Sequence, residues 1–144
     1  MKEHVKTMGF TLKRVIPASP AQVYKVWLDP KIACNPYHDT MNVIFKPKTG
    51  TLFYFLAKNG AMEIAHYGRF IVLSPGKRVQ QTWMSRYTRG LESKVTTTFQ
   101  KKGKDTLVTV NHSKLPDDKF GMMHHWGWNY YLDETQKLFA KKRK

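Results

Sequence analysis

The chain has 144 residues, of which 41% are hydrophobic and 13% are aromatic. This length suits one domain, and the apolar content can build a buried core, which excludes a disordered chain. Charge is the unusual quantity, because 25 Lys and Arg against 10 Asp and Glu give a formal net charge of +15. The single cysteine excludes an intrachain disulfide. We therefore predict one domain over residues 1–144, with a basic tail at residues 141–144.

The sequence carries no signal for export or membrane insertion. Residues 1–6 lack the apolar segment of a signal peptide. No apolar run approaches the roughly 20 residues that span a bilayer. We expect a cytoplasmic protein without a transmembrane segment, present as a monomer or a homodimer.

The first predicted elements are a strand and a short helix. Apolar and polar residues alternate over residues 10–16, which is the period of a strand. Ser19 then offers an N-cap, and Gln22 follows three residues later, as a capping box requires. The helix is expected to end at Asp29, ahead of a proline. A second short helical piece is expected over residues 31–34.

The middle of the chain predicts six consecutive strands separated by turn residues. The Asn-Gly pair at residues 59–60 is the strongest of these hairpin signals. Sequential hairpins make an antiparallel sheet. The strands are expected at residues 42–46, 51–58, 62–73, 78–84, 92–100 and 106–112.

A long helix is predicted at the end of the chain. We expect it to open at Pro116 with two acidic residues in its first turn and to run to about residue 141. Trp128, Leu132, Thr135 and Phe139 recur at helical spacing and form an apolar face. This face is widened by Met123, Gly127, Tyr130, Tyr131 and Leu138.

The predicted order is β-α-α-β6-α, an α+β fold of about seven strands. A sheet with one apolar face must bury it, and the long helix is the available partner. A strongly curved sheet cannot close completely on one helix. The space between them is therefore a candidate ligand pocket.

Four passages resemble a known family in their order along the chain. They are residues 15–31, which end near an Asp-Pro pair, residues 68–83, with a central glycine and a Thr-Trp strand, residues 93–112, which form a last hairpin, and residues 127–132, with a Gly-Trp pair. The chain resembles the START-like, SRPBCC or helix-grip superfamily, which includes birch-pollen-allergen-like proteins. Within it, the chain is most similar to homologues of the activator of the heat-shock-protein-90 ATPase.

The resemblance implies a helix-grip fold with an internal cavity, but it implies no single reaction. Members of the superfamily include lipid carriers, polyketide cyclases, plant hormone receptors and stress-associated proteins, and a fold alone does not settle function.

Aromatic side chains on the elements around the predicted pocket are the main functional signal. Buried Tyr and Trp combine a large apolar surface with a polar atom, which suits a planar or greasy ligand. The alternative is that they only fill the core. Gly127 either allows close approach of helix and sheet or makes room for a ligand. The candidate pocket residues are Phe53, Phe55, Tyr67, Trp83, Met123, His124, Gly127, Trp128 and Tyr131.

No metal site, cofactor site or catalytic group is predicted. His124 and His125 are neighbours on a helix and point about 100° apart, so they cannot share one metal ion. We expect one of them to face the sheet or pocket and the other to face solvent. Cys34 has no basic neighbour to activate it, and strand alternation places Glu63 on the solvated face. The sequence has no paired carboxylates, phosphate loop or nucleophile elbow.

The positive charge falls mainly in predicted turns, loops and termini. Such charge attracts anionic partners weakly and in a salt-dependent way, but no nucleic-acid-binding motif accompanies it. The alternative is an ordinary solvated surface. The cations concerned are Lys46, Lys48, Lys77, Arg78, Arg86, Arg89, Lys101, Lys102, Lys104 and residues 141–144.

Three functions are compatible with these observations. The preferred one is non-catalytic binding of a small hydrophobic or amphipathic molecule. The second is a cyclase- or hydratase-type enzyme that uses pocket Tyr, His or Glu groups, and it requires ionisable groups to converge in the cavity. The third is a co-chaperone-like protein-binding module. It ranks last because related co-chaperones carry an additional domain for which 144 residues leave no room.

Overall fold

The computed structural model describes residues 6–38 and 40–143, except for the side chains of Asn59 and Arg143. A short 3-10 helix, Arg86–Thr88, interrupts the run of strands. The main elements are β1 (Thr7–Ile16), α1 (Pro20–Trp27), β2 (Met41–Ile44), β3 (Leu52–Asn59), β4 (Met62–Ser74), β5 (Arg78–Trp83), β6 (Ser93–Lys102), β7 (Asp105–Pro116) and α2 (Lys119–Arg143).

Within the described residues, seven strands form one antiparallel sheet in the order β1-β7-β6-β5-β4-β3-β2. This confirms the predicted α+β class with a sheet of seven strands. β1 pairs with β7, so the first strand of the chain lies beside the last. Arg14 on β1 donates hydrogen bonds to the side chains of Asp133 and Asn129, which links α2 to this edge strand of the sheet.

Curvature of the sheet depends on Gly68 in the middle of β4. A Cβ at this position would lie 2.1 Å from the carbonyl oxygen of Thr82 and 2.8 Å from the ring of Phe53. Only a residue without a side chain permits this approach. A register shift between Phe70 and Val72 follows, and such irregularities increase the local bend of a strand. This irregular part of the sheet includes β3, β4 and β5, which together face α2 across the cavity.

The predicted start of α1 is confirmed. The Ser19 hydroxyl accepts a hydrogen bond from the Gln22 backbone N–H, and the Gln22 side chain accepts one from the Ser19 backbone N–H. This capping box satisfies two N–H groups that a helix start otherwise leaves unpaired. The helix buries Val23 and Trp27 against the sheet.

The second short helix, expected at residues 31–34, is wrong. Residues 30–38 form turns and bends. Asn35 explains the difference, because its side-chain amide donates to the carbonyl oxygens of Val26 and Asp29, each at 2.8 Å. These bonds satisfy carbonyls at the end of α1 and fold the chain back on itself. The loop consequently carries Tyr37 into the core, where it is 2% exposed.

The predicted apolar face of α2 is largely confirmed. Trp128, Leu132, Thr135 and Phe139 are all buried. Tyr130 was expected on the same face, but its side chain is 57% exposed. It lies two residues from Trp128, and a step of two residues turns a helix through about 200°.

The predicted start of α2 is wrong by three residues. β7 runs through Pro116, and α2 begins at Lys119. The Asp118 carboxylate accepts hydrogen bonds from the backbone N–H groups of Phe120 and Gly121, so it caps the helix from outside. Arg89 donates to the same carboxylate at 2.6 Å.

Every predicted surface cation from Lys46 to Lys142 is exposed. Lys101 and Lys102 lie on a strand rather than in a turn, because β6 extends two residues further than predicted, and Arg78 is the first residue of β5. The side chain of Arg143 and all of Lys144 lie outside the described residues. Within the described ranges, no helix is long and apolar enough to cross a bilayer.

Candidate functional site

A cavity of about 170 Å³ lies between the sheet and the first half of α2. The wall on the sheet side comes from β3, β4 and β5, and the opposite wall comes from α2. The loop after α1 and the 3-10 helix contribute the remaining lining through Pro36 and Tyr87. The lining residues are Pro36, Phe55, Ala57, His66, Trp83, Tyr87, Met123, His124, Gly127, Trp128 and Tyr131.

The wall on the sheet side consists of stacked rings. The imidazole of His66 lies parallel to the ring of Phe55, with their centroids 4.9 Å apart. The ring of Trp83 is inclined to both of these rings, by 61° to His66 and 60° to Phe55, with centroids 5.6 Å and 5.9 Å away. Trp128 on α2 contacts Trp83 at 5.3 Å. Flat apolar surfaces therefore face the cavity from both sides.

Gly127 gives the cavity its space. A Cβ at this position would meet no atom within 4 Å, whereas one at Gly121 would lie 2.0 Å from the carbonyl oxygen of Pro116. Of the two roles considered for Gly127, close approach of helix and sheet is therefore wrong. The missing side chain instead leaves open volume along the wall formed by α2.

Hydrogen bonds fix the orientation of the two histidines in the lining. Nδ1 of His66 lies 3.1 Å from the carbonyl oxygen of Ile64, and Nδ1 of His124 lies 2.9 Å from that of Phe120. A carbonyl oxygen can only accept, so each Nδ1 carries the proton. In a neutral ring, Nε2 is then an unprotonated acceptor. Neither Nε2 has a hydrogen-bond partner among the described residues.

Burial keeps both rings neutral. Desolvation lowers the pKa of His66 to about 4, although its hydrogen bond to Ile64 opposes the shift. Desolvation also lowers the pKa of His124, against the opposing effect of the Phe120 and Gly121 carbonyls. The cavity consequently presents uncharged imidazoles near neutral pH.

A buried chain of hydrogen bonds fixes Trp128. Its indole N–H donates to Nδ1 of His112 at 3.0 Å, and Nε2 of His112 lies 2.8 Å from the Ser93 hydroxyl. Because Nδ1 accepts, Nε2 carries the proton and donates to Ser93, which in turn donates to the carbonyl oxygen of Trp83. Burial holds the pKa of His112 well below its usual value. We call this series the His112 chain.

Seven of the nine candidate residues line the cavity. Phe53 instead packs behind the wall, with its ring 5.8 Å from that of Trp83. Tyr67 is a correction, because its side chain is 45% exposed on the outer face of β4. It follows His66 directly, and successive side chains of a strand point to opposite faces. The seven that line the cavity are Phe55, Trp83, Met123, His124, Gly127, Trp128 and Tyr131.

Four lining residues were missed, namely Pro36, Ala57, His66 and Tyr87. Alternation carried the signal for two of them, because Ala57 shares a strand face with Phe55, and His66 shares one with buried Ile64. The other two lie in irregular segments, where no period applies.

The groups considered for other chemistry lie elsewhere. Cys34 is 1% exposed, and burial raises the pKa of its thiol. Glu63 is exposed, as alternation predicted. One of the two neighbouring histidines was predicted to face solvent, but neither does so fully. The ring of His125 is half-buried and packs against that of Phe10, with their centroids 5.1 Å apart. In the part of the chain that the structure describes, no group of three or more His, Cys, Asp or Glu could hold a metal ion.

Residues 17–140 match the family model of activator of Hsp90 ATPase homolog 1-like proteins. The chain belongs to this family. A Dictyostelium discoideum protein named activator of 90 kDa heat shock protein ATPase homolog is 36% identical over 75 residues. That match covers 50% of this chain but only 19% of the relative.

Solved structures share the fold of this chain at low sequence identity. A Chromobacterium violaceum protein superimposes with a TM-score of 0.76 at 22% identity, covering 91% of this chain and 96% of that one. Thalictrum flavum norcoclaurine synthase was solved as a point mutant with a transition-state analogue. It superimposes with a TM-score of 0.70 at 13% sequence identity, covering 99% of this chain and 100% of that one. Ara h 8.0201 superimposes with a TM-score of 0.74 at 10% sequence identity, covering 94% of this chain and 99% of that one. These likenesses confirm the helix-grip fold.

Proposed function

We propose that this domain binds one small hydrophobic or amphipathic molecule in the cavity, without catalysing a reaction. The observation that carries the proposal is the volume beside Gly127, about 170 Å³ lined mainly by aromatic side chains. Apolar cavities with a few fixed polar groups are the usual form of small-molecule sites. The fold is shared with norcoclaurine synthase, whose own structure holds a transition-state analogue, and this supports the binding of a small molecule here.

The surface offers an entrance to this site. Tyr87 and Met123 line both the cavity and a neighbouring groove of about 670 Å³. The groove is largely apolar, and its wall includes Trp126, which is 66% exposed. A ligand with low solubility in water could therefore pass from one apolar surface to the next.

Native mass spectrometry of freshly purified protein tests the proposal. We expect the wild-type protein to carry a small molecule, or to gain one after incubation with a mixture of small aromatic compounds. The matched variant is Gly127→Leu, whose side chain fills the cavity from a position with no atom within 4 Å of Cβ. It should fold and carry none. A wild-type protein that binds no compound, or a Gly127→Leu variant that binds as well as wild type, contradicts the proposal.

One observation favours an enzyme as a second candidate. Ionisable side chains do converge in the cavity, because His66, His124 and Tyr131 all line it. A neutral imidazole can accept a proton, but general bases work best with a pKa near the working pH. The pKa of His66, lowered to about 4, makes it a weak base at neutral pH. This favours binding over catalysis. Chemical conversion of a captured molecule, lost in His124→Phe, would favour the enzyme.

A further inference from the structure

The lining of the cavity contains features that define a narrower class of ligand than apolar molecules in general. They are its size, its hydrogen-bonding atoms and its lack of charged side chains. This step rests on the proposed function, because it concerns the occupant of the same cavity.

The volume sets the size of the ligand. Engineered cavities of about 150 Å³ bind a single benzene ring, and this cavity measures about 170 Å³. Its walls are flat rings, with Phe55 and His66 stacked in parallel and Trp83 set against both. A planar ring of six atoms with one or two small substituents fits both the volume and the walls.

The polar atoms set the hydrogen bonding of the ligand. Nδ1 of His66 and Nδ1 of His124 are each occupied by a backbone carbonyl. The free nitrogen of each ring, Nε2, can only accept. The indole N–H of Trp128 is not available to a ligand, because it donates to His112. An occupant that donates a hydrogen bond therefore finds an acceptor on either ring. The lining also holds a donor, because the buried indole N–H of Trp83 has no hydrogen-bond partner among the described residues, so an occupant that both donates and accepts is matched on both counts.

The absence of charge in the lining sets the charge of the ligand. No Lys, Arg, Asp or Glu is among the described residues that line the cavity. A buried ion without a partner is costly, and an unprotonated Nε2 faces a carboxylate with like polarity. The net charge of +15 is carried by side chains elsewhere. Anions are therefore attracted to the surface of this protein but not into its cavity.

From these three features we propose that the cavity takes an uncharged, single-ring aromatic compound with a hydroxyl or amine donor, of which phenol is the simplest, and that Nε2 of His66 or His124 accepts the hydrogen bond.

Binding of three matched probes to the full chain tests this proposal. Phenol and toluene have nearly the same shape and differ in the donor, and benzoate is an anion with the same ring. We expect phenol to bind in ligand-observed NMR titrations and benzoate to be excluded from the cavity. Because toluene is more hydrophobic, the informative quantity is the ratio of the phenol and toluene affinities, compared between the wild type and its variants.

In His66→Phe or His124→Phe, this ratio should shift toward toluene by about tenfold, since a flat ring of similar size remains but the acceptor is lost. His38→Phe is the matched control. His38 also makes a hydrogen bond from Nδ1 to a backbone carbonyl, that of Pro30, but it is exposed and lies outside the cavity. The ratio of phenol and toluene affinities in His38→Phe should equal that of the wild type. Circular dichroism checks folding, and a pocket variant that does not fold is replaced by the leucine substitution at the same position, which also lacks an acceptor, so that both histidines are tested.

The outcomes separate this inference from the function on which it rests. An unchanged ratio in both pocket variants, or benzoate binding that Gly127→Leu abolishes, overturns the ligand class but leaves a cavity that binds small molecules. If neither phenol nor toluene binds, the inference and the proposed function both fail for ligands of this size. Phenol binding with a shifted ratio in a pocket variant and none in His38→Phe supports the inference.

Discussion

The two halves of α2 pack against the same sheet in different ways. In the second half, Leu132 and Thr135 are completely buried, and Phe139 is 5% exposed. In the first half, Met123, His124 and Gly127 are only partly buried, and they line a cavity of about 170 Å³. One helix therefore contributes to both a close-packed core and an internal space.

The difference shows how a site can be built without weakening the domain that carries it. The packed half supplies apolar burial, the largest favourable contribution to folding. The cavity half forgoes some packing, and its polar groups are instead held by hydrogen bonds to the backbone and by the His112 chain. Substitutions in the two halves should therefore change the free energy of unfolding by different amounts and even in opposite directions.

The packed half should be the more sensitive to truncation. Leu132→Ala removes a completely buried side chain, and we expect the free energy of unfolding to fall by about 3 kcal/mol. Urea denaturation monitored by circular dichroism measures this. Met123→Ala, in the cavity half, is the comparison and should cost clearly less, because Met123 is partly exposed already. Equal losses for the two variants would remove the distinction between the halves.

Acid should destabilise the protein through the buried histidines in and beside the cavity. The folded-state pKa of His66 is lowered to about 4 from its usual 6.5, so the unfolded chain binds a proton first as the pH falls. The contribution of His66 to the free energy of unfolding is fully present above pH 6.5. It is lost as the pH falls toward 4, by up to about 3 kcal/mol. His112 and His124 act in the same direction.

Urea titrations at several pH values between 4 and 7 measure this dependence, with His66→Phe as the control. The variant should lose part of the slope against pH. If wild type and His66→Phe have the same slope, His66 does not remain neutral in the folded protein.

The His112 chain should matter less than either effect. Ser93→Ala leaves the buried Nε2–H of His112 without an acceptor, which costs about 2 kcal/mol. Ser113→Ala is the matched control, because Ser113 is half-buried beside His112 and its hydroxyl has no hydrogen bond among the described residues. Chemical denaturation of both variants decides the point. Similar stabilities would mean that the His112 chain adds nothing.

Gly127→Ala should give the smallest effect and the opposite sign. A Cβ there meets no atom within 4 Å, and alanine favours a helix over glycine by about 1 kcal/mol. We therefore expect a stabilised protein, visible as a higher melting temperature. Gly121→Ala, in the same helix, should be destabilised, since its Cβ would lie 2.0 Å from the Pro116 carbonyl oxygen. A destabilised Gly127→Ala would mean that the helix lies closer to the sheet than described.

Regular periods made most of the fold predictable. Alternation along the strands and the recurrence from Trp128 to Phe139 identify faces that a single sequence displays directly. The Ser19 capping box is equally local. In contrast, the turns at residues 30–38 depend on where one side chain, Asn35, places its hydrogen bonds. Helix propensity does not encode that choice.

The candidate site was predictable only in part, for a related reason. Membership of a face follows from alternation, and His66 could have been found in that way. Tyr87 could not, because it lies in a short 3-10 helix that meets the cavity through tertiary folding. The tautomer of each histidine ring depends on its distance to backbone carbonyl oxygens, and the sequence alone does not give these distances. A cytoplasmic location and the monomeric or dimeric state stay predictions.

The pairing of β1 with β7 has a consequence for how the chain folds. Thr11 lies opposite Asn111, so this pair of strands joins residues 100 positions apart. Contacts between such distant segments slow folding, because a long loop must close before they form. Until residues 105–116 have left the ribosome, β1 has no partner strand. The helix that forms one wall of the cavity is synthesised later still, so the binding space cannot form before residues 119–143 are available.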